Sequence, residues 1–576
     1  MSPSFPFRIA AAALGALLAA APALRAQPAM PPVGPTVSLP PFLVQDAGGP
    51  AWRYASVPGF EFLSHWSDSK TESFAVGVAA ARQLFEAILP PDYQLQLSTP
   101  TAYVLVTEQS TDALAQNLVT QELAHSQTAE ADSGRRTTQI GFLPNFMLWD
   151  WDDLIVYALQ PPHDNGTTLI FSNERVLVGL ERRTPALPRW FIDGFRDLYS
   201  GMDFSQGAAA TGTAGWTTRE ATAALAADPE APRKLLPLAE LFANPLAGGR
   251  NETPEHAFLR QAEASLFIRW TLDGDNHPRR AALWQWLNDS VAGPVTERRF
   301  KELFGEGYSA ALNDLSDYLP WALTHSLRLT SPLNPAVTEI RMRDATAAEV
   351  GRIKGDWERL EMHRVAAQFP ILAPKYREHA RKTLDFAFQI DKGDPGLLAV
   401  MGLFDLECGD PAAAQPLLEA AVAGRVVRPR VYFELARLQL SNAIKTLPDS
   451  PSARLAPEQT AQIFSLLDRA RAQSPALAQV YGLYYEVWQV SAGQPNPAQL
   501  QVFRDGARLF PENPPLMYES AVMLARSGQL DSAKAVVDRG LATPTNAAMQ
   551  SRLESLRAQL AAARQQSAAT ATAKSL

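Results

Sequence analysis

Four stretches in the C-terminal part of the chain repeat one alternation of small and bulky residues. In 394–424 the small residues Gly402, Ala414 and Ala421 alternate with bulky apolar residues, and 514–544 repeats this spacing. Two less regular helix pairs lie between them, formed by 431–440 with 461–472 and by 480–490 with 502–510. Such an alternation lets antiparallel helices nest and stack on the next pair. The sequence therefore predicts a helical solenoid for this part of the chain.

The spacing of small and bulky residues resembles that of tetratricopeptide repeats. The resemblance assigns 370–562 to a repeat array and implies that this array binds a protein or peptide partner. The stretch after it, 563–576, is rich in Ala, Gln, Ser and Thr, and we expect it to be disordered.

A second feature is the stretch 172–199, which reads as two helices joined by a Pro-rich elbow. Ser172 is a suitable N-cap, because its hydroxyl can accept a hydrogen bond from a free amide at a helix start. Pro188 is well placed as the first residue of the second helix. In that helix Phe191 and its apolar neighbours form one stripe, which leaves Asp193 on the polar side.

This stretch resembles the gluzincin-type zinc peptidases of the peptidase MA-like families. In those families the first helix carries the motif HExxH, and the second reads roughly PxWxxEG. Here the second helix is kept, since 187–194 reads LPRWFIDG. The alignment puts Asn173 and Leu177 at the two histidine positions, Asp193 at the third ligand and Glu174 at the general base. The resemblance thus implies a peptidase scaffold with a degenerate zinc motif.

The chain lacks the residues that zinc hydrolysis requires. A site of this kind needs two imidazoles one helical turn apart, a third ligand and a carboxylate to deprotonate the metal-bound water. None of the eight histidines is four residues from another. Asn173 can bind a hard cation only weakly through its amide oxygen, and Leu177 cannot bind one. We predict no metal, no cofactor and no catalytic residue, and zinc enters only under the alternative function.

Four features have both a functional and a structural interpretation. Glu174 is either a general base or an exposed first-turn glutamate stabilised by the helix dipole, and we favour the latter. Trp190 is read as a buried aromatic that locks the elbow rather than as a ligand-stacking ring. The segment 121–125 reads as HExxH with its first histidine replaced, and we interpret it as a solvated helix end. For Asp193 a structural role is also open, in a hydrogen bond to Arg182, to Arg183 or to a backbone amide.

The N-terminal segment 1–26 predicts export. A positive charge at Arg8 precedes a short apolar run that ends in small residues, the pattern of a secretory signal peptide. No later run is apolar enough to predict a transmembrane span. Cys408 is the only cysteine, which excludes a disulfide framework and fits a bacterial periplasmic or secreted protein. The net charge of −8 argues against a nucleic-acid partner.

The remaining segments complete the predicted organisation. Residues 27–50 read as a Pro-rich linker or as a first strand laid on the domain, 51–335 as the degenerate gluzincin-like domain and 336–369 as a helical linker. Strands are predicted at 52–54, 60–63 and 101–108, with a helix at 71–88. The fold class is α+β and predominantly helical. A small N-terminal mixed sheet packs on the helices of the gluzincin-like domain, and an α-solenoid of helix pairs follows.

We expect the function to be non-catalytic. The chain is interpreted as an exported binding or scaffolding protein, a pseudo-peptidase domain fused to a protein-interaction array. One alternative is a zinc-dependent metallopeptidase with atypical ligands. Another is that the repeat array only supports the N-terminal domain and binds nothing.

Overall fold

The computed structural model contains an N-terminal part with strands and helices and a C-terminal array of helix pairs. It describes residues 36–43, 51–93, 96–130, 139–143, 145–159, 177–200, 202–205, 208–211, 235–243, 253–273, 278–293, 295–330, 340–450 and 452–575. Over these ranges, none of the helices combines the length and the apolar character needed to cross a membrane.

The strands belong to the N-terminal part. They are β1 (Thr36–Leu39), β2 (Arg53–Val57), β3 (Phe60–Ser64), β4 (Thr101–Val106), β5 (Gln139–Phe142), β6 (Asn145–Trp149), β7 (Leu154–Leu159), β8 (Met202–Ser205), β9 (Ala208–Thr211), β10 (Arg328–Thr330) and β11 (Arg343–Asp344).

The helices occur in both parts. Those of the N-terminal part are α1 (Asp68–Ile88), α2 (Ala113–Glu130), α3 (Arg189–Ser200), α4 (Leu238–Leu241), α5 (Pro254–Leu272), α6 (Pro278–Ala292), α7 (Glu297–Phe304) and α8 (Tyr308–Ala322). Those that follow are α9 (Ala347–Gln368), α10 (Ala373–Ile390), α11 (Pro395–Glu407), α12 (Pro411–Ala423), α13 (Pro429–Lys445), α14 (Pro457–Arg471), α15 (Ala478–Val490), α16 (Pro497–Leu509), α17 (Pro514–Arg526), α18 (Leu530–Leu541) and α19 (Ala547–Ser575).

Six strands form one mixed sheet in the order β11-β2-β3-β4-β7-β6. The pairs β3–β4 and β4–β7 are parallel, and the other neighbours are antiparallel. Parallel neighbours need a crossover, which α1 provides between β3 and β4. Strands β1 and β5 form a separate parallel pair, and β8, β9 and β10 form a small antiparallel sheet.

Helices cover both faces of the six-stranded sheet. On one face Phe74 of α1 packs edge-on against Tyr103. On the other, Trp357 of α9 stacks on Tyr157 with ring centroids 5.1 Å apart. All residues of the central strand β4 are buried, as expected for a strand with both faces covered.

Helices α3 to α8 form a bundle with an aromatic core, which includes the buried rings of Phe191, Trp286 and Phe300. Helices α3 and α5 cross very closely at Gly194. A Cβ at this position would lie 2.6 Å from the carbonyl carbon of Ala264. No other residue type fits this crossing without a shift of the helices, which explains the glycine that follows Asp193.

The array consists of helix pairs that start with local capping signals. The helices α11, α12, α13, α14, α16 and α17 each begin with a proline, whose fixed φ suits the first helical position. Side-chain oxygens of the preceding residue cap four of them: Asp394, Asp410, Asn496 and Asn513. Small residues allow close packing, since a Cβ on Gly402 would lie 2.6 Å from Leu418.

A buried ionic cluster joins the sheet to the array. We call it the junction cluster and define it as Asp150, Asp152, Asp356, Arg359, Glu407, Arg428 and Arg430. Arg359 donates to Asp150, Asp356 and Glu407 over 2.5, 2.6 and 2.5 Å. Its side chain has 0% exposure.

Two further arginines complete the junction cluster. Arg428 contacts Asp150 at 3.0 Å and Asp356 at 2.8 Å, and Arg430 contacts Asp150 at 2.5 Å and Glu407 at 2.7 Å. Burial alone would raise the pKa of Asp150, but the surrounding guanidinium groups hold that pKa well below its ordinary value. The aspartates of the β6–β7 turn are thus tied to the array by charge.

The predicted fold class is confirmed: the chain is predominantly helical, with a small mixed sheet and a C-terminal solenoid of helix pairs. The four predicted repeat stretches coincide with α11–α12, α13–α14, α15–α16 and α17–α18. The strands expected at 52–54, 60–63 and 101–108 are β2, β3 and β4, and the helix expected at 71–88 is α1.

Two segments differ from their expected role. Residues 336–369, predicted as a helical linker, contain β11 and α9, and α9 packs between the sheet and α10. The tail 563–576, predicted to be disordered, continues α19 as far as Ser575. The segment 27–50 contains β1, which pairs with β5, in agreement with the strand interpretation of this segment. The domain boundaries themselves stay a prediction.

Candidate functional site

The structure describes part of the predicted peptidase centre. Asn173 and Glu174 lie outside the described residues. Leu177 lies in a segment whose described residues 177–181 are helical, and it packs, partly buried, against the bundle core. Asp193 lies near the start of α3, and its side chain is 13% exposed.

Arginines surround the Asp193 carboxylate. Arg189 contacts both of its oxygens, at 2.9 and 3.0 Å. Arg196 and Arg260 lie 3.6 and 3.9 Å away. Arg196 also pairs with Glu181 and so connects α3 to the preceding helical segment. Asp193 therefore acts as the shared acceptor of a cationic group of side chains.

The two arginines that the sequence suggested as partners of Asp193 lie elsewhere. The Arg182 guanidinium lies 4.2 Å from the centre of the Trp149 ring. Arg183 lies 4.5 Å from the Tyr93 ring centre and donates to the Pro185 carbonyl at 2.8 Å. The interpretation that paired Asp193 with Arg182 or Arg183 is therefore wrong. Both side chains pack on aromatic rings through cation–π contacts.

The residues described at this centre do not fit zinc. Leu177 has no donor atom, and the guanidinium groups around Asp193 repel a cation. Throughout the described ranges, His, Cys, Asp and Glu side chains form no group of three or more that could hold a metal ion.

Trp190 lies in the bundle core. It is 3% exposed, and its ring lies 5.0 Å from Phe242 and 5.8 Å from Phe267. This position agrees with a structural role at the elbow. The segment 121–125, which imitates HExxH, lies within α2.

The inner face of the array offers a different kind of site. The first helices of successive pairs, α13, α15 and α17, contact one another more extensively than the second helices do. We call the side of the array formed by these first helices its inner face, the side on which solenoids commonly present a binding surface.

Two glutamates lie on neighbouring helices of this inner face. Glu486 is on α15 and Glu519 on α17, and a Cβ on Gly482 would lie 3.6 Å from Glu519 Oε2. Within the described part of the chain, neither carboxylate makes a hydrogen bond or an ion pair. We call this pair the inner-face carboxylates.

The inner-face carboxylates hold their protons unusually tightly. Burial, together with the charge of Glu486, raises the pKa of Glu519 to about 7, although Arg552 opposes the shift. Burial also raises the pKa of Glu486, against the effect of Arg437. A carboxylate without a nearby donor titrates in this way. The two groups therefore lack the hydrogen-bonded cations that the junction cluster has.

Tyrosine and arginine side chains surround the inner-face carboxylates. Arg552 of α19 lies 4.5 Å from the centre of the Tyr518 ring. Arg526 donates to Gln489 at 3.0 Å across α15 and α17. Tyr485 is close enough to Glu519 and Tyr518 for their charges to affect its pKa, which burial raises. The site thus combines acceptors, donors and aromatic surface.

Sequence reasoning assigned partner binding to the array but named none of these residues. The signal was the position of Tyr485–Glu486 and Tyr518–Glu519 in two successive first helices. The same Tyr-Glu pair occurs in both. Reading the repeats for identical dipeptides would have found it.

The described residues define a two-part protein, in which an α/β sheet and a helical bundle are joined to an array of helix pairs. No protein-family model matches the sequence. No curated protein matches it either.

Solved structures of TPR proteins are similar to part of the chain. A thermophilic TPR protein of Thermus thermophilus, TTC0263, is 18% identical over 34% of this chain and 98% of its own, with a TM-score of 0.24. PilF of Pseudomonas aeruginosa is 18% identical over 36% of this chain and 90% of its own, with a TM-score of 0.25. YrrB, a TPR protein with an unusual peptide-binding site, is 12% identical over 34% and 90%, also with a TM-score of 0.25.

Proposed function

We propose that this protein is an exported, non-catalytic binding or scaffolding protein whose array holds a protein or peptide partner on its inner face. The observation that carries the proposal is the pair of inner-face carboxylates. Glu486 and Glu519 have no donor among the described residues, so a donor from a partner can bond to them. Hydrogen bonds to a charged group are about twice as strong as neutral ones.

The surroundings of the carboxylates suit a partner with basic or amide side chains. Tyr485 and Tyr518 provide rings that lose little conformational entropy on binding. Arg437 is half exposed at 50% and lies next to Glu486. Tyrosine and arginine are the residues that most often dominate binding energy at interfaces.

The proposal includes a pseudo-peptidase interpretation of the N-terminal part. It is supported by the sequence resemblance at 187–194, by Leu177 at a ligand position and by the arginines around Asp193. No step of peptide hydrolysis is assigned to these residues, and no cofactor is required.

Export in a bacterium, to the periplasm or the medium, is proposed from the segment 1–26. Cell fractionation of the full chain and of a chain lacking 1–26 tests it. We expect only the full chain outside the cytoplasm, shortened at its N-terminus. Equal distribution of the two chains would contradict export.

Site-specific photo-crosslinking tests partner binding. A benzoylphenylalanine at Tyr485 should yield a discrete crosslinked product in the native host, and the same group at the exposed Gln501 of α16 serves as a control. Glu486→Lys with Glu519→Lys should abolish the product. A product that persists in the double variant would place the partner elsewhere.

Metal analysis of the same purified protein tests the alternative. Stoichiometric zinc, with peptidase activity that a chelator removes, would establish a metallopeptidase and overturn the non-catalytic proposal.

A further inference from the structure

A cavity of about 290 Å³ lies where the sheet, α9 and the array meet. Its floor includes three cross-strand neighbours, Glu61 of β3, Ala102 of β4 and Ile155 of β7. The next row on the same face packs under α9 and consists of Leu63, Val104 and Tyr157. Because the small Ala102 is central in its row, space remains between the sheet and α9. We call this space the junction cavity.

Ion pairs shape the walls of the junction cavity. Arg352 of α9 donates two hydrogen bonds to Glu61, both at 2.6 Å. Arg428 donates to Asp356 at 2.8 Å. The charges of these four side chains are therefore paired with one another. An apolar cavity stays dry, whereas charged walls of this kind favour water or a polar ligand.

Asp153 contributes a carboxyl group that is less well paired. One of its oxygens accepts a hydrogen bond from the Leu154 amide at 2.8 Å. The other lies 3.7 Å from Arg428, beyond hydrogen-bond distance. Burial raises the pKa of Asp153 well above its ordinary value, although Arg428 opposes the shift. Its nearest cation, Arg428, therefore forms an ion pair with it but no hydrogen bond.

Arg425 contributes a cation at the same cavity. It is exposed and lines the space, and its guanidinium makes no hydrogen bond or ion pair within the described ranges. Its backbone φ is 58°, in the left-handed region. It follows the C-terminus of α12, where glycine is the usual residue because it adopts this φ without strain. Strained residues of this kind cluster at functional sites.

We propose that the junction cavity binds a small zwitterion, an α-amino acid or a short peptide, with its ammonium on Asp153 and its carboxylate on Arg425. The two groups have opposite charge and each lacks a strong partner. A guanidinium matches a carboxylate with two parallel hydrogen bonds. The volume lies at the lower end of roughly 300–1,000 Å³ for ligand pockets, which favours a small ligand.

A bound zwitterion would contact both parts of the protein. The floor belongs to the sheet, and Arg425 belongs to the array. A ligand that binds only this assembled junction stabilises the folded chain. Binding is therefore measurable as a rise in melting temperature as well as by calorimetry.

The test uses the purified full chain with defined probes. Free amino acids of different side chains form one arm, and dialanine and trialanine form the other, so that the two ligand sources are distinguished. N-acetylalanine lacks the ammonium, and alanine amide lacks the carboxylate. We expect binding and thermal stabilisation by at least one zwitterion and none by its blocked analogues. No binding by any zwitterion at millimolar concentration, or equal binding of blocked analogues, would overturn the proposal.

Variants locate the site. Ala102→Leu fills the space, and Asp153→Asn and Arg425→Gly each remove one charge. Each should weaken zwitterion binding about tenfold or more. Arg298→Gln, whose side chain is 89% exposed on α7, is the matched control. Arg425→Gly keeps the test decisive if Ala102→Leu fails to fold, since glycine suits a φ of 58°. Unchanged binding in a folded Arg425→Gly variant would overturn the site.

Discussion

The protein contains carboxylates in two opposite settings, Asp150 buried at the junction and Glu519 partly buried on the array. In the junction cluster, Asp150 has three guanidinium groups within 3.0 Å. On the inner face of the array, Glu519 has none at hydrogen-bond distance among the described residues. Their pKa values shift in opposite directions, well below the ordinary value for Asp150 and up to about 7 for Glu519.

The difference separates groups that hold the fold together from groups available to a partner. A buried charge is stable only if paired, since burial otherwise favours its neutral form. Asp150 is paired across the junction and connects the two parts of the protein. Glu519 lacks this pairing, so a cation of a partner has more to contribute there.

Removing the central cation of the junction cluster should give the largest effect. Arg359→Ala should lower the free energy of unfolding by about 3–5 kcal/mol, because the carboxylates around it stay buried without their shared donor. Urea denaturation at neutral pH measures this. Arg437→Ala is the control: its half-exposed side chain pairs with Glu434 at 2.7 Å, and a loss of about 0–1 kcal/mol is expected. Equal losses would contradict the comparison.

Acid should weaken the same cluster through Glu407. Burial opposes its ionisation, but Arg359, His363 and Arg430 lower its pKa to about 2. A carboxyl group whose pKa is lower in the folded state stabilises the fold at pH values above its pKa in the unfolded state. This stability is lost as the pH falls through about 2. The contribution is on the order of 3 kcal/mol. Glu407→Gln should abolish that part of the acid dependence, measured by denaturation from pH 5 to 2. A variant with the same profile would exclude Glu407 as its source.

The array was predictable from sequence because its signals are local. The small residue Gly402 faces Leu418 within one helix pair, and prolines and capping residues mark the helix starts. The junction cluster gives no such signal, since Asp150 and Arg359 are 209 residues apart. Helix α9 lies in the segment predicted as a linker, and its charged residues are of types that are mostly exposed in proteins. The structure buries Lys354, Asp356 and Glu358 there, where ion pairs replace water.

The candidate sites also divide into those with a local sequence signal and those that depend on long-range contacts. The core position of Trp190 agrees with its prediction as the buried aromatic of the elbow. The arginines around Asp193 were harder to predict from the sequence, because Arg260 belongs to another helix. The junction cavity depends on Ala102 lying beside Glu61 and Ile155 in the sheet register. Register and tertiary contacts, rather than local pattern, decide these sites.

The loss of stability on removing the Asp193 carboxylate should fall between the effects expected in the two settings. It is partly buried and shared by Arg189, Arg196 and Arg260. Asp193→Ala should lower stability by about 1–3 kcal/mol, because it removes the acceptor of charge-assisted hydrogen bonds. Thermal unfolding measures this against Asp314→Ala, whose side chain is 49% exposed. An unchanged melting temperature would remove the structural role of Asp193.

Neutralising the unpaired carboxylate of Glu519 should give the smallest change in stability. This change should be a gain, whereas the other variants lose stability. Burial raises the pKa of Glu519 to about 7. The stability that its protonated form contributes is therefore lost as the pH rises from the pKa of the unfolded state through about 7. Glu519→Gln should therefore stabilise the free protein at pH 8, by on the order of 1 kcal/mol after allowance for partial exposure. The exposed Glu512→Gln should change nothing. The same Glu519→Gln variant should weaken partner crosslinking at Tyr485. A loss of stability at pH 8 would show that the charge of Glu519 is already compensated within the chain, and the contrast with the junction cluster would fail.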